Sequence, residues 1–243
     1  MMKMRLSDVK KYLADLFLPN RCPACSKLIP WDKTVCRKCR DKLTVITDEL
    51  CPVCAKSKCI DHSKLCFDSC IALFYYVQPC INAIYALKYH KGSNFAEYSA
   101  DLLKTELENR ELADRIDLVT CVPMSVKKLR RRKYNQSEMI ARYLSDKLGK
   151  PLDTSLIVHS DTLTDHHTLP KSQKAENALS SFCVSQHHSD IKGKTVLLCD
   201  DVYTTGSTMN ACAACLRQLG AKSVIAAAIA TTKPVEKRYD EGG

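Results

Sequence analysis

The stretch KTVLLCDDVYTTGST, residues 194–208, decides how most of this chain is interpreted. An apolar run ends in two adjacent acids, Asp200 and Asp201, and leads at once into a small, hydroxyl-rich turn around Gly206. The run has the length of a buried strand, and the residues after the turn favour a helix. Strand, polar turn and helix in this order predict an α/β sheet, in which ligands bind at the carboxyl ends of the strands.

The residues around this stretch repeat the same alternation. Strands are predicted for IALFYYV, IDLVTCV, SLIVHS, SFCV, TVLLCD and SVIAAAIA, and helices for CINAIYALKYH, SADLLKTELENREL, SEMIARYLSDKLG and STMNACAACLRQLG. Such alternation predicts a parallel sheet wrapped by helices over residues 71–235. The polar segment 161–178 interrupts it and is long enough to serve as a lid.

Length and composition allow one good-sized domain with an appendage, or two small domains, in 243 residues. The longest apolar runs are only strand-sized, so no transmembrane helix is expected. Residues 1–20 have apolar positions at helical spacing, which predicts an amphipathic helix docked on the protein itself. Charged residues interrupt any signal-peptide core there, and this favours a cytoplasmic location.

Nine of the fifteen cysteines fall in residues 21–70. Without an export signal these thiols should stay reduced, so Cys-x-x-Cys pairs are better interpreted as metal ligands than as disulfides. Two such turns complete the tetrahedral thiolate shell of a structural zinc ion. The first predicted site consists of Cys22, Cys25, Cys36 and Cys39.

A second zinc site is predicted around Cys51 and Cys54, which need two more ligands. Cys59, His62 and Cys66 are the candidates, and Cys59 and Cys66 are preferred. The alternative is a single zinc site, with the later cysteines merely packing. Cys212 and Cys215 form another Cys-x-x-Cys pair, but they fall in a predicted helix, which does not form the knuckle turn.

The formal charge of +10 favours anionic partners such as nucleic acid or phosphorylated metabolites. Six bases crowd into KKLRRRK, residues 127–133, which is either a solvated helix face or an anion-binding run. Tyr134 is the one aromatic residue beside this run, so base stacking has little support from the sequence.

The turn after the acids has the features of a phosphate-binding loop. Gly206 permits close backbone approach, and Ser207 can cap the next helix, whose free amides attract an anion. Asp200 and Asp201 would repel a phosphate, but they suit a ligand that carries a sugar diol near its phosphate and a magnesium ion. The predicted loop residues are Thr204, Thr205, Gly206, Ser207 and Thr208.

The run VLLCDDVYTTGST resembles the signature of the type I phosphoribosyltransferases. With ALKYHKGSNFAEYSADLL, VPMSVKKLRRRKYNQSEMIARYL, LPKSQKAENALSSF and the preceding cysteine knuckles, the chain resembles the ComF (ComFC/GntX-like) competence proteins over residues 12–233. These proteins join a zinc-ribbon region to a phosphoribosyltransferase-like domain. Where family members usually read Arg-Gly-Phe-Asn-Gln, this chain has Arg132, Lys133, Tyr134, Asn135 and Gln136. The segment that commonly carries a Gln and a Glu-Arg pair has His166 and Gln173-Lys174.

The resemblance implies a site for phosphoribosyl pyrophosphate and magnesium. Asp200 and Asp201 would bind the ribose hydroxyls, residues 204–208 the 5-phosphate, and segment 161–178 would form the hood. The basic run and magnesium would neutralise the leaving pyrophosphate. The pyrophosphate would contact Pro123, Met124, Ser125, Lys128 and Lys88.

Two functions follow from the resemblance. The first is a phosphoribosyltransferase with an unknown acceptor, and Thr204 argues against a purine because purine-salvage relatives commonly have an acid there. The second is a non-catalytic competence factor that binds single-stranded DNA, or a DNA-uptake helicase of the ComFA kind, through its zinc region and basic run. The two functions are compatible.

Overall fold

A computed structural model describes residues 19–89, 93–162, 181–186 and 188–233. The predicted N-terminal helix and hood therefore lie almost entirely outside the described residues, as do His166 and Gln173-Lys174. The helices are α1 Arg37–Arg40, α2 Cys80–Tyr89, α3 Ser93–Asn109, α4 Val126–Arg132, α5 Gln136–Leu148 and α6 Ser207–Gln218. The strands are β1 Ser69–Tyr75, β2 Leu118–Cys121, β3 Ile157–His159, β4 Phe182–Val184, β5 Thr195–Tyr203 and β6 Ser223–Thr231.

The main sheet has four strands in the order β1-β6-β5-β2, and every pairing in it is parallel. Strands β5 and β6 are buried along almost their whole length, as expected for central strands covered on both faces. The predicted α/β fold is confirmed. Strands β3 and β4 form a separate antiparallel pair in which His159 faces Phe182.

Alternate residues of β5 enter two different apolar cores. Leu197 and Cys199 join the core formed with helices α2, α3 and α5, whereas Val196 and Leu198 join the core formed with helix α6. Cys212 packs within this second core, as the sequence predicts. Successive side chains of a strand point to opposite faces, so this one strand contributes to both layers.

The cysteine-rich region contributes to both cores as well. Cys22, Ala24 and Leu43 pack on the first core, and Leu50, Ala55 and Phe67 pack on the second. The region is therefore built into the sheet domain from both sides. Within the part of the chain that the structure describes, no helix is long and apolar enough to span a membrane.

Candidate functional site

The paired acids lie at the carboxyl end of the central strand β5. The strand continues to Tyr203, past the predicted end at Asp200, so both acids lie within the strand and not in the turn, and Asp200 pairs with Ala228 of β6. Asp200 and Asp201 are only 9% and 6% exposed. Two carboxylates this well buried need charged or hydrogen-bonding partners, and the structure supplies both.

Each carboxylate has a different partner. Ser137 Oγ, at the start of helix α5, donates a hydrogen bond of 2.8 Å to Asp200 Oδ1, which also accepts from the backbone N–H of Asp201. Lys88 Nζ, in the last turn of helix α2, lies 2.7 Å from Asp201 Oδ2. The ion pair compensates the charge of Asp201, whereas Asp200 has only neutral donors.

The difference affects the protonation of Asp200. Burial raises the pKa of this carboxyl to about 7, and the negative charge of Asp201 adds to the effect, although the Ser137 hydrogen bond opposes it. Asp200 is therefore poised to change charge near neutral pH.

A cavity of about 210 Å³ lies over the two acids. It brings together eight of the residues predicted for the phosphoribosyl site: Lys88, Pro123, Met124, Ser125, Lys128, Asp200, Asp201 and Thr208. Three cations, Lys88, Lys128 and Arg132, line the same cavity as the two carboxylates. Such a mixture suits a ligand with an anionic end and a hydroxyl-bearing middle.

Residues 204–207 do not line this cavity. They form the turn that leads from β5 into α6, where Ser207 N donates 3.3 Å to Thr205 Oγ1 and the Thr205 and Ser207 hydroxyls lie 3.0 Å apart. The helix cap is Gly206, with φ +87°, and not Ser207 as the sequence suggested. Ser207 is instead the first helical residue.

The loop before helix α4 forms another wall of the cavity. Ser125 caps this helix by accepting a hydrogen bond of 3.4 Å from Lys128 N. Val126 N donates 3.2 Å to Asp161 Oδ2, which joins the loop to the segment after β3. The basic run forms an exposed helix, as its first interpretation predicts, yet Lys128 and Arg132 still reach the cavity.

Several residues lining the cavity were missed by sequence reasoning. Asn135 caps helix α5 and donates 2.9 Å to the carbonyl of Val122, and Ser137 follows two residues later. A polar cap before an apolar helix was the available signal for these two residues. The sequence gives no comparable signal for His159 and Phe182, because only the β3–β4 pairing brings them to the cavity.

Two clusters of metal-binding side chains occur among the described residues. The first consists of the predicted Cys22, Cys25, Cys36 and Cys39, and the second of Cys51, Cys54, Cys59 and His62. In each cluster the ligand atoms lie within 4.8 Å of one another. Cys66 is not part of the second cluster. The preference for Cys66 over His62 was therefore wrong.

Cys66 is held elsewhere by its backbone. Its N–H donates 2.6 Å to Asn210 Oδ1, and its carbonyl accepts from Arg217 Nε, both on helix α6. His62 instead lies in a short 3-10 helix that Asp61 caps.

The spacing within each cluster fits zinc. Tetrahedral zinc has sulfur ligands at about 2.3 Å and nitrogen ligands at about 2.05 Å, which places two sulfurs about 3.8 Å apart and sulfur and nitrogen about 3.6 Å apart. Cys25 Sγ and Cys36 Sγ are 3.8 Å apart, and Cys51 Sγ and His62 Nε2 are 3.6 Å apart. Both donor sets match closed, structural zinc sites.

Two family models match the chain. A double zinc ribbon domain matches residues 13–70, and a phosphoribosyl transferase domain matches residues 134–241. The protein is thus a double zinc ribbon joined to a phosphoribosyltransferase-like α/β domain.

Similar proteins match this chain along most of their length. Competence protein ComFC of Bacillus subtilis is 23% identical over 207 residues, which cover 79% of this chain and 82% of that protein. DNA utilization protein YhgH of Escherichia coli K12 is 25% identical over 216 residues, covering 84% and 86% of the two chains. Competence protein F of Haemophilus influenzae is 22% identical, covering 78% and 93%. Over most of its length the chain is therefore similar to competence and DNA-utilization proteins.

Solved structures of similar fold include two phosphoribosyltransferases. The adenine enzyme from Thermoanaerobacter pseudethanolicus matches with a TM-score of 0.37 and 18% identity over 61% of this chain and 85% of its own. The purine enzyme from Pyrococcus horikoshii matches with a TM-score of 0.35 and 21% identity over 58% and 76%.

Proposed function

We propose that the α/β domain binds phosphoribosyl pyrophosphate with magnesium and transfers its phosphoribosyl group to an acceptor. We propose further that this activity contributes to DNA uptake. The observation that carries the proposal is the single cavity that holds Asp200, Asp201 and three cations beside the phosphate loop. The competence and DNA-utilization names of the related proteins support the cellular role.

We assign roles in binding to the residues of the cavity and to the turn beside it. Asp200 and Asp201 accept hydrogen bonds from the ribose hydroxyls, and the turn after β5 receives the 5-phosphate at the start of helix α6. Lys88, Lys128 and Arg132 neutralise the pyrophosphate as its bond to the sugar breaks. Magnesium, when bound, shares the charge of that leaving group.

Calorimetric titration with phosphoribosyl pyrophosphate and magnesium tests this proposal. The double variant Asp200→Asn, Asp201→Asn keeps the shape of both side chains but removes the ionised acceptors, so binding should fall at least tenfold. Asp190→Asn is the matched control, because Asp190 is exposed and accepts a hydrogen bond of 2.9 Å from the backbone N–H of Lys192, away from the cavity. Equal affinity in the wild type and the double variant would refute the site assignment.

A specific surface favours a second, compatible function, the binding of single-stranded DNA. Tyr85 and Tyr89 are 57% and 43% exposed, and their ring centroids are 4.7 Å apart on one face of helix α2. The guanidinium groups of Arg131 and Arg132 lie 5.9 Å and 5.1 Å from the Tyr89 ring. Helix packing thus supplies the aromatic residues whose absence near the basic run counted against base stacking.

Two variants separate stacking from phosphate contact in a DNA titration over several salt concentrations. Tyr85→Ala with Tyr89→Ala should lower affinity by roughly 1–3 kcal/mol per lost stacked base and leave the salt slope unchanged. Arg130→Gln with Arg131→Gln should instead flatten the salt dependence of the affinity, because a protein with fewer phosphate contacts releases fewer counterions when it binds DNA. Wild-type protein that binds no DNA would leave the ComFA-type helicase as the partner of this surface.

A further inference from the structure

Lys56 connects the second zinc knuckle to the loop proposed to hold the 5-phosphate. Its backbone belongs to the knuckle, because the N–H of Cys51 donates a hydrogen bond of 3.0 Å to the carbonyl of Lys56. The preceding residue, Ala55, has a φ of +46° and donates 2.8 Å to the carbonyl of Cys51. The position of Lys56 is therefore fixed by the turn that gathers the metal ligands.

The side chain of Lys56 points away from the knuckle and into the sheet domain. Nζ donates a hydrogen bond to the backbone carbonyl of Thr204 and another, of 3.3 Å, to Thr231 Oγ1. It also lies 4.4 Å from the centre of the Tyr203 ring. Tyr203 and Thr231 are buried at the ends of β5 and β6, so the ammonium group sits behind the loop and not on its open side.

This contact has a consequence for the loop's amide groups. In a trans peptide the C=O and the following N–H point in opposite directions. Because the Thr204 carbonyl points toward Lys56, the N–H of Thr205 points away from Lys56. The carbonyl oxygen, which would repel an anion, is then absent from the open side of the loop. One peptide is thereby oriented for phosphate before any ligand arrives.

The same ribbon also supports the helix that follows the loop. Asn210 Nδ2 donates 3.0 Å to the carbonyl of Lys64, in addition to the Asn210 bond with Cys66. The ribbon therefore holds the loop at Thr204 and the first turns of α6 at Asn210. The two contacts bracket the proposed phosphate site.

We infer that Lys56 is a positioning residue for the 5-phosphate loop, and that it makes the loop's geometry depend on the second zinc knuckle. This inference rests on the proposed function of the cavity. It assigns the second ribbon a role in ligand binding, through Lys56, beyond folding.

The test compares Lys56→Met with Lys58→Met in calorimetric titrations, using magnesium throughout. Lys58 is a matched control because it lies in the same knuckle and is exposed. Three probes are used: phosphoribosyl pyrophosphate, ribose 5-phosphate and pyrophosphate. Lys56→Met should weaken the two 5-phosphate ligands about tenfold and leave pyrophosphate binding unchanged, whereas Lys58→Met should match the wild type with every probe.

Two further measurements separate positioning from a loss of folding. Zinc content per chain should be the same in Lys56→Met and the wild type, and Lys56→Arg, which keeps a donor for the Thr204 carbonyl, should recover most of the affinity. Ribose 5-phosphate should also slow zinc release to a chelating dye in the wild type, and less so in Lys56→Met, because coupling between two sites is reciprocal.

The titrations distinguish a failure of the proposed function from a failure of the role of Lys56. Wild-type protein that binds none of the probes would overturn the proposed function itself. Wild-type binding of ribose 5-phosphate that Lys56→Met retains in full would overturn only the role of Lys56. Equal weakening of ribose 5-phosphate and pyrophosphate would also overturn it, because the effect would then not be local to the loop.

Discussion

Gly206 shows how one residue shapes the proposed phosphate loop, residues 204–208. It combines a left-handed φ of +87° with close packing, since an added Cβ would lie 2.7 Å from Tyr203 Oη and 2.9 Å from Tyr203 Cε2. Tyr203 is only 2% exposed and lies beside Lys56, so its ring has little room to move. Gly206 is therefore required both for its backbone conformation and for its lack of a side chain.

Substitution of Gly206 by alanine should destabilise the fold more than its φ alone explains. The left-handed conformation costs about 1–2 kcal/mol for a residue with a Cβ, and the overpacking adds roughly 1–3 kcal/mol. Gly193→Ala is the matched control, because Gly193 has a φ of +75° but nothing within 4 Å of its added Cβ. Urea unfolding measures the loss of stability in the two variants. Equal losses in the two variants would show that the Tyr203 ring yields to the new methyl group.

Asp200 should make the stability of the ligand-free protein depend on pH. Its folded pKa is raised to about 7, against about 3.9 in an unfolded chain. Between these values the folded state holds a proton that the unfolded state has released, so the free energy of unfolding falls as pH rises from about 4 to about 7. Asp200→Asn should remove this component from the pH profile of the melting temperature. Parallel profiles for the two proteins would contradict the raised pKa.

At the scale of the element, the end of helix α4 explains a departure from the family pattern. Lys133 is the C-cap of this helix and has a φ of +67°, at the position where the resemblance to ComF proteins leads us to expect glycine. Its N–H donates 2.7 Å to the carbonyl of Leu129, which closes the last turn. Glycine suits a left-handed helix cap, and this chain forms such a cap with a lysine.

Lys133→Gly should therefore stabilise the protein by roughly 1 kcal/mol relative to Lys133→Ala, since both variants lose the charged side chain and only glycine relieves the left-handed cost. Chemical denaturation of the two variants gives the difference. An alanine variant as stable as the glycine variant would mean that the cap costs this helix nothing.

The residues that coordinate the second zinc ion can be identified by mutation. Wild-type protein should carry about two zinc ions per chain, since each cluster is a complete four-ligand set. His62→Ala and Cys59→Ser should each lose about one ion, whereas Cys66→Ser should keep both, because Cys66 is bound to helix α6 through its backbone. Elemental analysis with native mass spectrometry measures the count. Loss of zinc from Cys66→Ser but not from His62→Ala would restore the ligand set preferred from sequence.

At the scale of the whole molecule, the double zinc ribbon packs against both faces of the sheet. The first knuckle packs into the core on the side of α2, α3 and α5, and the second packs into the core on the side of α6. Asp68, between ribbon and sheet, accepts from Ser223 Oγ at 2.6 Å and Val224 N at 2.8 Å and pairs with Arg217 Nη2 at 2.6 Å. These contacts fix the ribbon at the amino ends of β5 and β6, opposite the candidate site.

The sequence by itself determined the features that depend on local pattern. Apolar runs, helix periodicity and the Cys-x-x-Cys turns predicted the α/β sheet, the first zinc cluster and the acids at a strand end, because each of these is encoded within a few consecutive residues. The run around Asp200 and Asp201 also predicted a sugar-phosphate site, for the same reason.

Only the tertiary structure decided which distant residues meet. The choice of His62 over Cys66, the approach of Tyr89 to Arg131 and Arg132, and the bond from Lys56 to Thr204 all depend on contacts that no local pattern encodes. Lys56 and Thr204 lie 148 residues apart, and they meet beside Thr231, where β5 and β6 end. The local pattern thus places the acids and the loop, and the packing of helices on the sheet brings Lys88, Lys128 and Ser137 to them.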